Sequence, residues 1–212
     1  MLEPIGAVRC IVIHHSTEDF QGPVAANARA LHLKGKAKGY DAISYHYVMG
    51  NGVKGYHEIN GRKEWAESTD GGIEFGRPLD AKGAHAIPNE GAIGIVMVGN
   101  FNVSKPTEKQ VQSLQNLVLH LMYKFRLTPA DVIGHREHQV TDKHCPGKNF
   151  DMDAFRHSLK SRFNADDNIQ AAIVSKRVDS IIKSSIQTME LVVSAHAVGA
   201  QIPHGSVHRP EQ

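Results

Sequence analysis

Three residues of the kind that bind soft or borderline metals stand at well-marked places in this chain. His14 closes the apolar run Cys10-Ile-Val-Ile-His14, His135 sits in Gly-His-Arg at 134–136, and Cys145 lies in Lys-His-Cys-Pro-Gly at 143–147. Two imidazoles and one thiolate converging from two distant segments would hold Zn²⁺ with a fourth position open, and an open position separates a hydrolytic zinc site from a structural one. The pattern therefore reads first as a metallohydrolase. Taken singly, His14 at a strand end is more often a satisfied core histidine, and Cys145 a small buried hydrophobe. The interval between His135 and Cys145 also contains His138 and His144, either of which could replace a ligand or close the coordination sphere. No carboxylate base of the His-Glu-x-x-His sort is evident.

Such a site needs rigid elements to hold it. Cys10–His14 is short and rich in β-branched residues, which fits a buried central strand with the ligand at the sheet's rim. Adjacent strand residues point to opposite faces, so His15 is expected to pack or hydrogen-bond beside the site rather than to bind metal. Val24, Asn27, Leu31 and Lys34 recur at helical spacing across Pro23 to Lys36. Tyr45 to Met49, Gly50-Asn51-Gly52 and Val53 to His57 read as a β-hairpin, because Asn-Gly supplies the positive φ values that such turns require. Residues 60 to 90, with Trp65, several glycines, Pro78 and Pro88, look like a long surface excursion. Ala92 to Val98 is a second buried strand. Thr107-Glu108-Lys109-Gln110 has the form of a capping box, and Val111, Leu114, Leu117, Val118, Leu121, Met122 and Phe125 then trace one helical face. Asp131-Val132-Ile133 is a brief strand leading into Gly134-His135. This alternation predicts the α/β class, with a single mixed central β-sheet flanked by helices.

Composition shifts near Asn164. From Ile169 to His196 apolar residues recur at spacings of three and four, predicting an added C-terminal amphipathic helix before an aperiodic tail. The domain reading is 1–164 for the catalytic unit and 165–212 for the amphipathic helix and flexible tail. Lys176, Arg177 and Lys183 nearly balance Asp179 and Glu190, which argues against a membrane-disrupting segment. The expected role is packing on the domain or on another copy of the chain, which would make a homo-oligomer, with a membrane or outer-envelope contact as the lesser alternative. Overall, 24 Lys+Arg against 22 Asp+Glu leaves a net charge of +2 with no basic block, so nucleic acid is not the expected partner. Cys10 and Cys145 do not amount to a disulfide framework. The N-terminus lacks a charged start followed by a long apolar stretch, so no secretory signal is read, and a cytoplasmic location is expected.

Six motifs occur in a telling order: Ile-Val-Ile-His-His-Ser at 11–16, Ile-Ser-Tyr-His-Tyr at 43–47, Gly-Ala-His-Ala at 83–86, Ile-Gly-Ile-Val-Met-Val-Gly-Asn-Phe at 93–101, Gly-His-Arg at 134–136 and Cys-Pro-Gly at 145–147. In this order, over roughly residues 8 to 163, the chain resembles the type 2 N-acetylmuramoyl-L-alanine amidases, which include phage lysozymes of the T7 kind and the peptidoglycan recognition proteins. The resemblance implies that His14, His135 and Cys145 bind Zn²⁺, that Tyr45 lies beside the attacking water, and that Lys143 takes the place of a catalytic lysine. It further implies hydrolysis of the muramoyl–L-alanine amide of peptidoglycan by a phage or prophage endolysin that reaches the wall once the membrane is breached. The rival readings are a non-catalytic module that binds muropeptide, a cytoplasmic amidase recycling anhydromuropeptides, and a structural zinc protein closed by His138 or His144. His46 and His85 are read as lining the groove or supporting the site.

Overall fold

A computed structural model describes residues 2–17, 27–59, 62–138, 144–164 and 175–185. The strands among them are β1 (Cys10–His15), β2 (Tyr47–Met49), β3 (Lys54–Ile59), β4 (Arg62–Glu67), β5 (Ile73–Phe75), β6 (Ala92–Met97) and β7 (Val132–Gly134). The α-helices are α1 (Ala28–Ala37), α2 (Glu108–Phe125), α3 (His135–His138) and α4 (Met152–Asn164). Continuous apolar strands have no polar face to offer water, so they must lie in the middle of a covered sheet. β1 and β6 do so: the sheet order is β5-β2-β6-β1-β7, parallel throughout except for β5 at one edge. This is the mixed sheet with flanking helices that the sequence pattern predicts.

The two faces of the sheet are covered differently. Ile11, Ile13, Tyr47 and Ile95 project into the larger core with Leu114, Leu117 and Leu121 of α2 and Phe155 and Leu159 of α4. Val48 and Val96 face the other way, into a smaller cluster with Ala28 and Ala30 of α1. Two polar contacts fix the start of α1: Asn27 accepts from the Ala30 N–H at 2.9 Å, and the Glu74 carboxylate accepts from the Ala28 N–H at 3.1 Å. The capping box of α2 forms as its sequence indicates, with Thr107 Oγ1 accepting from Gln110 N and Gln110 Oε1 accepting from Thr107 N.

Two expectations are corrected. The segments on either side of Asn51-Gly52 do not pair with each other. β2 lies in the main sheet between β5 and β6, while β3 pairs antiparallel with β4 in a separate two-stranded sheet. Burial decides this, because Tyr47, Val48 and Met49 are fully covered as a sheet strand, a gain that an isolated hairpin cannot match. Nor are residues 60 to 90 only a surface excursion: they supply β4, β5 and the buried side chains Arg77 and His85. Arg77 ties its loop together by donating to the carbonyls of Ile43 (2.6 Å) and Lys82 (2.7 Å).

Of the predicted C-terminal helix, 175–185 is helical, and the rest lies outside the described residues. This segment joins the larger core through buried Val178, with Ile182 packed against it, and Ser185 donates to the Ile73 carbonyl at 3.1 Å. Truncating a fully covered valine forfeits about 2 kcal/mol of burial and packing. Val178→Ala in the full chain is therefore expected to lower the urea midpoint correspondingly. An unchanged midpoint would mean that the segment does not dock.

Candidate metal centre

Strand register brings the two histidines together. β1 runs parallel between β6 and β7, with Ile13 opposite Ile95 on one side and Gly134 on the other. The residue after each partner, His14 on β1 and His135 at the start of α3, therefore emerges at the same carboxyl edge of the sheet, where ligands of parallel α/β sheets collect. Their ring centroids are 4.5 Å apart. His14 stands in the row Val48–Val96–His14, so its side chain projects on the α1 face. His15 projects oppositely and accepts a hydrogen bond from the Phe101 N–H at 3.0 Å through Nδ1.

Cys145 is delivered by a loop held from two sides. From the Gly-His-Arg side, the Arg136 N–H donates to the Cys145 carbonyl at 2.9 Å, and the guanidinium donates to the carbonyls of Gly147 (2.9 Å) and Phe150 (3.3 Å). From the other side, the Asn149 N–H donates to the Phe101 carbonyl at 2.9 Å and the Lys148 N–H to Asn102 Oδ1 at 3.1 Å. Glycine is required at 147, where φ is +112° and a Cβ would come within 2.5 Å of the Phe101 backbone. Thus the arginine and glycine of the two motifs clamp the cysteine loop.

The potential ligand atoms of His14, His135 and Cys145 all lie within 4.8 Å of one another, and among the described residues neither His138 nor His144 joins them. His138 instead directs Nε2 at the Pro88 carbonyl, 2.7 Å away. His14 Nδ1 and Cys145 Sγ are 3.6 Å apart. Zinc bonds of ordinary length meeting at a tetrahedral angle put nitrogen and sulfur about 3.6 Å apart, so this donor set fits the ion. Both atoms are buried, and burial together with the neighbouring histidines His85 and His135 holds the His14 pKa well below the ordinary value, leaving the imidazole neutral as ligation demands.

The cluster lies on a cavity of about 700 Å³, whose walls include Tyr45, His85, Leu31 and Lys38, and none of its described lining residues is a carboxylate. Tyr45 packs edge-on against His14, with ring centroids 5.1 Å apart. Nearby Glu137 is engaged elsewhere, accepting from the Gly134 N–H and pairing with Arg156 through both oxygens. Lys143 lies outside the described residues. His85, read from the sequence as lining the groove or supporting the site, is buried and stands 3.1 Å from His14, its Nδ1 facing His14 Nε2. His46 beside it is buried too, with Nε2 donating to the Ala81 carbonyl and Nδ1 accepting from the Gly94 N–H, both at 2.9 Å.

The model of the N-acetylmuramoyl-L-alanine amidase family matches residues 4–148. Among solved structures, the chain is similar to the endolysin N-acetylmuramoyl-L-alanine amidase LysCS from Clostridium intestinale, at 28% identity and a TM-score of 0.59, covering 76% of this chain and 88% of that one. It is also similar to the peptidoglycan-recognition protein ectodomains LCa and LCx solved with bound tracheal cytotoxin, at 25% identity and a TM-score of 0.52, covering 71% of this chain and 82% of that one. A curated relative, peptidoglycan-recognition protein LB of Drosophila melanogaster, is 36% identical over 80 residues, which is 37% of this chain and 34% of that protein's length.

Two outcomes follow from this geometry. Burial holds the His15 pKa down to about 4, and burial with neighbouring His46 holds that of His85 at about 3. Groups with depressed folded pKa leave the unfolded chain binding more protons below about pH 6.5. Hence the metal-free protein is expected to be most stable above that pH and to weaken steadily as pH falls toward about 4, read as urea midpoints across the range. A flat profile there contradicts the buried neutral histidines. For the clamp, Arg136→Ala is expected to cost about 2 kcal/mol in denaturant unfolding, and Arg136→Lys to restore only part of it, because an ammonium lacks the fork that reaches two carbonyls. Full restoration by lysine would show that charge alone matters.

Proposed function

We propose that this chain, which belongs to the N-acetylmuramoyl-L-alanine amidase family, is a zinc-dependent enzyme that hydrolyses the amide between the lactyl group of N-acetylmuramic acid and L-alanine in peptidoglycan. The observation that carries the reading is the convergence of His14, His135 and Cys145 at the edge of a substrate-sized cavity. His14, His135 and Cys145 would hold the ion there, and zinc so bound would supply Lewis acidity toward the amide carbonyl and the attacking water. The protein's part is to hold that ion with two neutral imidazoles and a thiolate, and to leave the cavity side open for substrate. Tyr45, packed on His14, orients the water or hydrogen-bonds the developing oxyanion. Lys143 stabilises the same charge with its ammonium. The amide C–N bond breaks to give a lactyl carboxylate and a free L-alanine amino terminus.

Similarity to a clostridial endolysin supports release of the protein onto the wall in a phage or prophage lysis programme. Similarity to recognition ectodomains solved with tracheal cytotoxin supports binding of a muropeptide by this chain, and makes binding without hydrolysis the competing reading. A thiolate ligand in the cluster favours the enzyme. Purified peptidoglycan digested by the zinc-loaded chain is expected to release L-alanine amino termini. Cys145→Ser should lose both zinc and activity, while Lys143→Ala should keep zinc and lose about a hundredfold or more in kcat. Zinc bound without new amino termini supports recognition alone, and full activity in Lys143→Ala removes that residue from the mechanism.

A further inference from the structure

A histidine can present only one lone pair to a metal, so something must decide which ring nitrogen of His14 carries the proton. The surroundings of His14 contain a chain of groups able to make that decision. The Ala92 carbonyl can only accept, and it lies 3.2 Å from His85 Nε2, so that nitrogen bears a proton. In a neutral ring, His85 Nδ1 is then an acceptor, and it faces His14 Nε2 at 3.1 Å. His14 Nε2 must in turn donate, which leaves the lone pair on Nδ1, the nitrogen 3.6 Å from Cys145 Sγ.

The position of His85 is fixed independently of these hydrogen bonds. A Cβ at either Gly83 or Gly94 would collide with its imidazole. Gly94 pairs with Val12, two residues before His14 and on the same face, so the missing side chain on β6 makes the slot that holds the ring beside the ligand. Asn89 Oδ1 also accepts from the His85 N–H at 2.8 Å and from the Ala86 N–H at 3.0 Å, fastening the loop behind it.

We propose that His85 is a positioning residue, locking His14 in the tautomer with its proton on Nε2 and its Nδ1 lone pair turned to Cys145. This deepens the reading of the same site as a zinc centre and rests on it for its consequence. The Ala92 carbonyl, His85 and His14 act as a relay that builds half of the metal site before any ion arrives. Removing the relay leaves a buried Nε2–H without an acceptor and frees His14 to turn the wrong nitrogen toward the ion.

Long-range ¹H–¹⁵N correlation spectra of the metal-free full-length chain test the tautomer directly. The expected result is a protonated His14 Nε2 and an unprotonated Nδ1. A proton on Nδ1, or averaging between the two forms, overturns the proposal. Chelator-competition titrations with zinc give the second readout. His85→Leu, which removes the acceptor, is expected to weaken zinc binding about tenfold to a hundredfold. His85→Asn, whose Oδ1 can stand where Nδ1 did, should stay within a few-fold of the original. Folded His85→Leu that binds zinc as tightly as the original chain overturns the relay. If that variant fails to fold, the spectrum of the unaltered chain decides. If the unaltered chain binds no zinc, the proposed function fails, while the tautomer measurement still settles the role of His85.

Discussion

The whole site hangs on the insertion of β1 between β6 and β7 in parallel register. Pairing Ile13 with both Ile95 and Gly134 sets His14 and His135 side by side at one edge of the sheet, although well over a hundred residues separate them along the chain. A slip of one residue would turn His14 into the larger core and bring His15 to the α1 face. That slip is opposed by the burial of Ile11 and Ile13 against α2, so hydrophobic packing on one face of the strand enforces ligand geometry on the other.

Around this frame the chain solves a desolvation problem. Four histidines, His14, His15, His46 and His85, are buried in or beside the main sheet, where charged imidazolium would be costly. Their burial is offset by hydrogen bonds to fixed partners: His15 accepts from the Phe101 N–H, His46 bridges Ala81 and Gly94, and His85 bridges Ala92 and His14. Neutral rings with determined tautomers are also what a metal needs from its ligands, so the terms that keep the site folded prepare it for binding.

Local signals carried much of this in the sequence. The capping box at Thr107 and the helical face from Val111 to Phe125 depend on neighbours within a turn or two, and both were legible as they form. The buried strands at Cys10 and Ala92 were legible because a continuous β-branched run has few alternatives. The misreading at Asn51-Gly52 has the opposite cause. Turn chemistry is local, but a three-residue strand such as β2 is stabilised by partners on β5 and β6 that periodicity cannot reveal. The same limit left the role of His85 open between lining the groove and supporting the site, since its contact with His14 depends on slots left by Gly83 and Gly94. The glycines and the arginine of the framed motifs likewise became intelligible only as a clamp on the cysteine loop.

X-ray absorption at the zinc edge of the metal-loaded full chain reads the proposed ligand set itself. The expected spectrum has one sulfur scatterer at about 2.3 Å and the remaining nitrogen or oxygen ligands at about 2.0 to 2.1 Å, with imidazole signatures from two histidines. A zinc shell that contains no sulfur, or one with a third imidazole completing an all-protein coordination sphere, would contradict it.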